Sequence, residues 1–129
     1  ITWNWGAGSG RSHGRVIGVQ VGAKWTEGTG VSENAFFADG RMHKIHGEAR
    51  WEYSLEGGRW REPWRITGGG LDAKFEPFYN KQARTDLLVL QGHTDQCFGY
   101  WSGTFETADG ESIEFAGLTG WAEEVHNRW

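Results

Sequence analysis

The chain has 129 residues, a formal net charge of −4 with both signs interspersed, and one cysteine, Cys97. That length fits one domain with one core, and a lone cysteine excludes an intrachain disulfide and points to a reducing, cytoplasmic setting. No basic stripe marks a nucleic-acid partner, no run of about 18 apolar residues marks a membrane-spanning helix, and no secretory signal opens the chain, which begins at Ile1 and reads as trimmed or as part of a longer protein.

Turn formers and aromatics dominate the composition, with 21 glycines and 9 tryptophans. Glycine weakens helices and strand interiors but suits tight turns and bulges, and aromatic rings fill pleated surfaces. The chain therefore reads as short or bent antiparallel strands joined by turns. First in order comes Trp5-Gly6-Ala7-Gly8-Ser9-Gly10, which superficially looks like a phosphate loop. A dinucleotide fingerprint needs a helix directly after it. The next element reads as a strand, so the glycine run is expected to be a flexible loop. That strand is Arg15–Trp25, where Ile17, Val19, Val21, Ala23 and Trp25 share one face by period two. Glu33-Asn34 leads into Ala35–Phe37, and Ala38-Asp39-Gly40 turns the chain back into Arg41–His46. Asp-Gly between alternating segments is a strong hairpin signal, which makes Asp39 structural.

Ala49–Leu55 is followed by the turn Glu56-Gly57-Gly58, and Trp64–Thr67 by Gly68-Gly69-Gly70. The next strand, Leu71–Pro77, sets Leu71, Ala73, Phe75 and Pro77 against Asp72, Lys74 and Glu76, the pattern of a sheet with one dry and one wet face. In the long stretch Thr85–Phe105, the run Leu87–Leu90 suits burial on both faces, and Gly92, Gly99 and Gly103 suit bends or bulges. Ala108-Asp109-Gly110 joins Tyr100–Thr107 to Glu111–Phe115. In the final segment, Trp121, Val125 and Trp129 fit a helical stripe and equally one face of a strand; a closing strand is the expectation. About eight to ten short strands imply an antiparallel barrel or sandwich with little helix, and a barrel of about eight encloses a small cavity.

Few residues suit chemistry. Metal ligands must converge. His43 and His46 are three apart and fall on opposite strand faces. His93 and Asp95 share a face but lack further ligands, and read as hydrogen-bonded or surface groups. No metal or other cofactor is expected. Cys97 reads as a small buried hydrophobe. A carboxyl held in an aromatic cavity has its pKa raised, which suits a general acid or base. The candidates are Glu33, ahead of Phe36-Phe37, and Glu123, Glu124 and His126 among the terminal aromatics, with solvated rim charges as the alternative. Trp25, Trp51, Trp64, Trp101 and Trp121 are expected mostly in the core. Nine tryptophans nonetheless exceed what packing needs, and some can line an apolar pocket with a few convergent polar groups.

A longer series of motifs runs in order: Trp3-Asn4-Trp5-Gly6 with Gly8-Ser9-Gly10, Trp25-Thr26-Glu27-Gly28-Thr29-Gly30, Glu33-Asn34-Ala35, Asp39-Gly40 and His43-Lys44-Ile45. Glu62-Pro63-Trp64-Arg65-Ile66, Gln96-Cys97-Phe98-Gly99, Gly120-Trp121-Ala122-Glu123 and Arg128-Trp129 complete it. The series resembles, over nearly the whole chain, the C-terminal half of a bacterial family classed only as a domain of unknown function. That family looks akin to the lipocalin-like superfamily, including the carotenoid hydratase (hydroxyneurosporene synthase) type with two barrel halves. The kinship implies an antiparallel lipocalin-like (calycin) barrel with an apolar cavity; fold kinship does not imply function. Members usually carry an N-terminal half that this sequence lacks, so the resemblance also implies either that missing domain or a homodimer.

Three readings follow. In the first, the barrel binds a small apolar or amphipathic molecule against Trp25, Trp51, Trp64, Trp101 and Trp121, with polar contacts from Glu33, Asn34, His43, Gln96, Glu123 and His126. The second is a cofactor-independent hydratase, lyase or isomerase in which Glu33 or Glu123 is the acid or base and His126 or His43 the proton partner. In the third, the chain is a structural or assembly domain whose barrel is filled by its own side chains.

Overall fold

Period-two alternation builds most of this molecule. The computed structural model describes residues 2–24, 33–86 and 91–128. Its strands are β1 (Thr2–Ser12), β2 (Arg15–Ala23), β3 (Ala35–Ala38), β4 (Arg41–Lys44), β5 (Arg50–Glu52), β6 (Trp64–Gly68), β7 (Leu71–Asp86), β8 (Gln91–Glu106) and β9 (Ser112–Arg128), with one short 3-10 helix at Glu56–Arg61. All pairings are antiparallel, in the order β4-β3-β2-β1-β9-β8-β7-β6-β5. The sheet is thus two meanders, β1–β4 and β5–β9, joined along a β1–β9 seam in which Thr2–Ser9 face Thr119–His126. No helix among the described residues is long and apolar enough to cross a membrane.

Chain connectivity forces the sheet to curl. Laid flat, nine strands at about 4.8 Å spacing would put β4 and β5 roughly 38 Å apart. The link from Lys44 to Arg50 reaches at most about 22 Å. The sheet therefore bends into a half-barrel. It stops short of closure, because no ladder joins β4 to β5 among the described residues; the edges that a closed barrel would remove are still present.

The concave face is filled with side chains. Ile17, Val19 and Val21 from β2, Phe36 from β3, Trp64 and Ile66 from β6, Phe75 from β7, and Trp101 and Phe105 from β8 are all buried. Phe36 stacks on Phe105 at 4.6 Å across the curl. Trp64, Phe75 and Trp101 continue the aromatic run, with ring centroids 5.9 and 5.0 Å apart. Each such ring contributes about 1.5–3 kcal/mol of burial.

The expected loop at Trp5–Gly10 is instead the interior of β1. Gly6 and Gly8 face inward, and the Trp101 indole lies directly on them. A Cβ would sit 2.8 Å from Trp101 Cζ2 at Gly6 and 2.5 Å from Cδ1 at Gly8. Alternate glycines make a track for a large ring, a close-approach role that overrides their poor strand propensity. Glu56-Gly57-Gly58 does lie between two paired antiparallel strands, β5 and β6, but as the start of the 3-10 helix rather than as a tight turn, and the strand expected at Ala49–Leu55 is only Arg50–Glu52.

Other expectations hold. Asp39 and Gly40 both have positive φ, and the Asp39 carboxylate accepts bonds from Val16 N at 2.9 Å and Arg15 Nε at 3.1 Å. The segment from Trp121 onward is strand, within β9. Register shifts at Pro77/Tyr79 and Trp101/Gly103 mark bulges beside Gly99 and at Gly103, whereas Gly92 pairs regularly. Leu87–Leu90 lie outside the described residues.

Candidate functional site

At one end of the concave face the lining changes from aromatic to polar. The bulge at Pro77/Tyr79 inserts one residue, so after Leu71, Ala73 and Phe75 the inward positions of β7 become Asn80 and Gln82. Register sets Gln82 opposite Asp95, Asp95 opposite Glu124, and Glu124 opposite Asn4. Tyr53, just past β5, stacks on Trp64 at 4.4 Å and reaches the same group.

Asp95 is the centre, at only 4% exposure. Its Oδ1 accepts bonds from Asn80 Nδ2 (3.1 Å) and Gln82 Nε2 (3.0 Å), and its Oδ2 lies 2.7 Å from His93 Nε2. Burial pushes the Asp95 carboxyl up, but the hydrogen bonds from Gln82, Asn80 and His93 outweigh it and hold the group below the usual carboxylate range. An ionised carboxylate only accepts, so His93 Nε2 carries the proton between them. In the neutral imidazole, Nδ1 then keeps its lone pair.

Beside this group, Asn4 Nδ2 donates to the Tyr53 hydroxyl (2.8 Å), which donates to Glu124 Oε2 (2.8 Å). Burial, the largest influence, pushes the Tyr53 phenol far above its ordinary range, so it stays a donor.

Four buried side-chain atoms among the described residues have no hydrogen-bond partner: Asn4 Oδ1, Asn80 Oδ1, His93 Nδ1 and Trp51 Nε1. The first three belong to this polar group. The two amides cannot be flipped to relieve this, because Asn80 Nδ2 must face a carboxylate and Asn4 Nδ2 faces the Glu123 carbonyl at 3.3 Å. All three are acceptors when His93 is neutral. A cleft of about 560 Å³ opens over Gln82, Arg84, His93 and Asp95, walled by Leu55 and Ala83.

The residues singled out from sequence divide between two faces. Glu123 lies on the convex face of β9, where Gln96 Nε2 donates to its Oε2 at 3.0 Å. With Glu33, Trp3 and Trp5 it lines a groove of about 360 Å³, and burial pushes its carboxyl up. Glu33 and Glu123 therefore line the same groove. His126 is exposed and makes a short contact with Thr2 Oγ1; His43, half-buried on β4 with its ring 5.8 Å from Phe105, faces a separate cleft with His46. Neither lines the groove with the two glutamates.

Asn34 is buried, and both ends of its amide bond the backbone of Gly22, at 2.7 and 3.2 Å, fixing the entry to β3. Trp64 and Trp101 are fully buried in the aromatic core. Trp51 is half-buried against Tyr53 and Trp64. Trp121 is half-buried on the convex face, and its carbonyl accepts from Trp101 Nε1 at 3.3 Å. Trp25 lies outside the described residues. Cys97 is buried, its thiol pushed up to about 12 by burial, which makes it a poor nucleophile. No group of three or more His, Cys, Asp or Glu converges to hold a metal among the described residues.

Sequence reasoning left out Asn4, Tyr53, Asn80 and Gln82, and read His93–Asp95 as merely hydrogen-bonded. The available signal was parity: Asn80 and Gln82 share one face, as do His93 and Asp95. Tyr53 carries no such signal.

A family model described as a domain of unknown function (DUF2804) matches residues 1–129, and the chain belongs to that family. No curated protein and no solved structure matches the chain.

Proposed function

We propose that this member of the DUF2804 family is a binding module that holds a small amphipathic molecule at the open, polar end of its half-barrel. The observation that carries the reading is the Asp95 group: a buried carboxylate gathers three donors beside a cleft that Gln82, His93 and Asp95 line, and His93 Nδ1 stays without a partner there. A buried polar atom without a partner costs about 1–3 kcal/mol. A ligand head bearing a hydroxyl or ammonium donor satisfies His93 Nδ1, and Leu55 and Ala83 offer its apolar part a wall. The kinship with lipocalin-like proteins suggested by the motifs agrees with a curled antiparallel sheet. The central aromatic fill confines any ligand to the end of the concavity. In this reading Gln82, His93 and Asp95 hold the head, and no cofactor is required.

One observation favours the enzyme reading as second choice. His93 Nε2 is fixed on Asp95 at 2.7 Å, which leaves Nδ1 as the basic atom of a neutral imidazole. An imidazole oriented by a buried carboxylate is the arrangement a general base needs.

The test is native mass spectrometry of protein purified from its host, alongside Gln82→Ala and His93→Gln variants. A co-purifying small molecule, lost in both variants while the fold is kept, supports the binding module. Turnover of that molecule by the wild type, lost in His93→Gln, moves the assignment to the enzyme. No co-purifying molecule and no saturable binding of amphipathic fluorescent probes would leave the structural reading, a half-barrel filled by its own side chains.

A further inference from the structure

The convex face carries a second concavity of different chemistry. In the β1–β9 seam Trp5 stands opposite Glu123 and Trp3 opposite Val125. The inward residues of β1 are Asn4, Gly6 and Gly8, so both indoles point outward with Glu123. Glu33, ahead of β3, also lines this groove of about 360 Å³. Its backbone carbonyl accepts from Gln20 Nε2 at 2.7 Å, which ties Glu33 to the outward side of β2.

Among the described residues no ion pair involves Glu33 or Glu123. Among the described residues, Glu123 receives a side-chain bond from the neutral Gln96. Indole faces are the negative side of a quadrupole. Two indoles and two carboxylates therefore set up a field that repels anions and attracts cations. A neutral apolar ligand would cover the carboxylates without compensating them, which is costly. A hard metal ion, which takes oxygen ligands, gains little from the two indoles. A weakly hydrated organic cation uses both parts of the site, the rings through cation–π attraction and the carboxylates as counter-ions.

We propose that this groove binds a small organic cation, an alkylated ammonium group seated against Trp3 and Trp5 with Glu33 and Glu123 as its counter-ions. The site is separate from the Asp95 cleft and independent of the function proposed for it.

The experiment titrates the protein with choline and with 3,3-dimethylbutan-1-ol, its uncharged isostere, following indole fluorescence and chemical shifts. Choline is expected to bind saturably and at least about tenfold tighter than the isostere. Glu123→Gln and Trp5→Ala should each weaken choline about fivefold or more at unchanged melting temperature. If Trp5→Ala perturbs folding, Trp5→Leu keeps an apolar side chain and removes the indole face. Asp95→Asn should leave choline binding as it is. Equal affinity for the isostere, absence of saturable choline binding, wild-type affinity in Glu123→Gln, or loss of choline in Asp95→Asn would each overturn the proposal.

Discussion

Replacing Asp95 by Asn tests whether the buried carboxylate stabilises the concave end or strains it. The shape is retained and the charge is lost. The new carbonyl oxygen can still accept from Asn80 and Gln82, which now bond a neutral partner. The new amide nitrogen faces His93 Nε2, so the imidazole proton must move to Nδ1. A hydrogen bond to a charged group is worth about 1.5–3 kcal/mol net, and a neutral one about 0.5–1.5. Three bonds each weakened by about 1 kcal/mol give roughly 3, and relief from burying a charge returns part of it, leaving a loss of about 2 kcal/mol at neutral pH. The folded-state pKa of Asp95 is depressed. Its contribution is therefore fully present above the unfolded value, near 3.9, and is lost as pH falls through the folded value. Urea denaturation of both proteins by tryptophan fluorescence, at pH 7 and in steps down to about 3, measures this. The deficit of the variant should be largest at pH 7 and shrink toward acid. A variant as stable as the wild type at pH 7, or a deficit that does not change with pH, would refute the argument that ionised Asp95 is held by its donors.

Two further outcomes follow from the packing and the Tyr53 bridge. Tyr53→Phe keeps the stack on Trp64 and removes the hydroxyl between Asn4 and Glu124; it should cost about 1–2 kcal/mol in denaturant melts. Because burial raises the phenol, the variant should also lack an alkaline tyrosinate absorbance step that the wild type shows only well above the ordinary tyrosine range or on unfolding. Gly120→Ala places a Cβ against the Ala7 carbonyl oxygen in the central seam, whereas at Gly10 the nearest atom to a Cβ is Leu118 Cδ2 at 3.7 Å. Thermal melts should show Gly120→Ala destabilised by about 1–3 kcal/mol or more, with Gly10→Ala near wild type.

The strands were legible where apolar and polar residues alternate without interruption, as at Arg15–Ala23 and Leu71–Phe75, because one buried face writes period two into the sequence. The glycine run in β1 was not. Local propensity sees only weak strand formers there, and the reason for them is the ring of Trp101 on a strand distant in sequence. The polar end was half-legible. Parity pairs His93 with Asp95 and Asn80 with Gln82, but the bulge at Pro77/Tyr79 inverts the parity of β7 after Phe75. Strict alternation from Phe75 would therefore send Asn80 outward. That Glu33 and Glu123 line one groove depends on the β1–β9 seam and the way the chain enters β3, neither of which is encoded by spacing.

The seam also governs the order in which the molecule can be made. β1 emerges from the ribosome first of the nine strands and β9 last, yet they lie side by side in the middle of the sheet. The two meanders can form from neighbouring hairpins during synthesis, but Thr2–Ser9 must wait for Thr119–His126. Pairings of such long sequence separation are slow to form. Until β9 arrives, β1 is an edge strand with unsatisfied backbone groups and two outward indoles, the kind of edge that recruits other chains. Translation speed and chaperone cover over that interval should therefore affect the yield of folded protein.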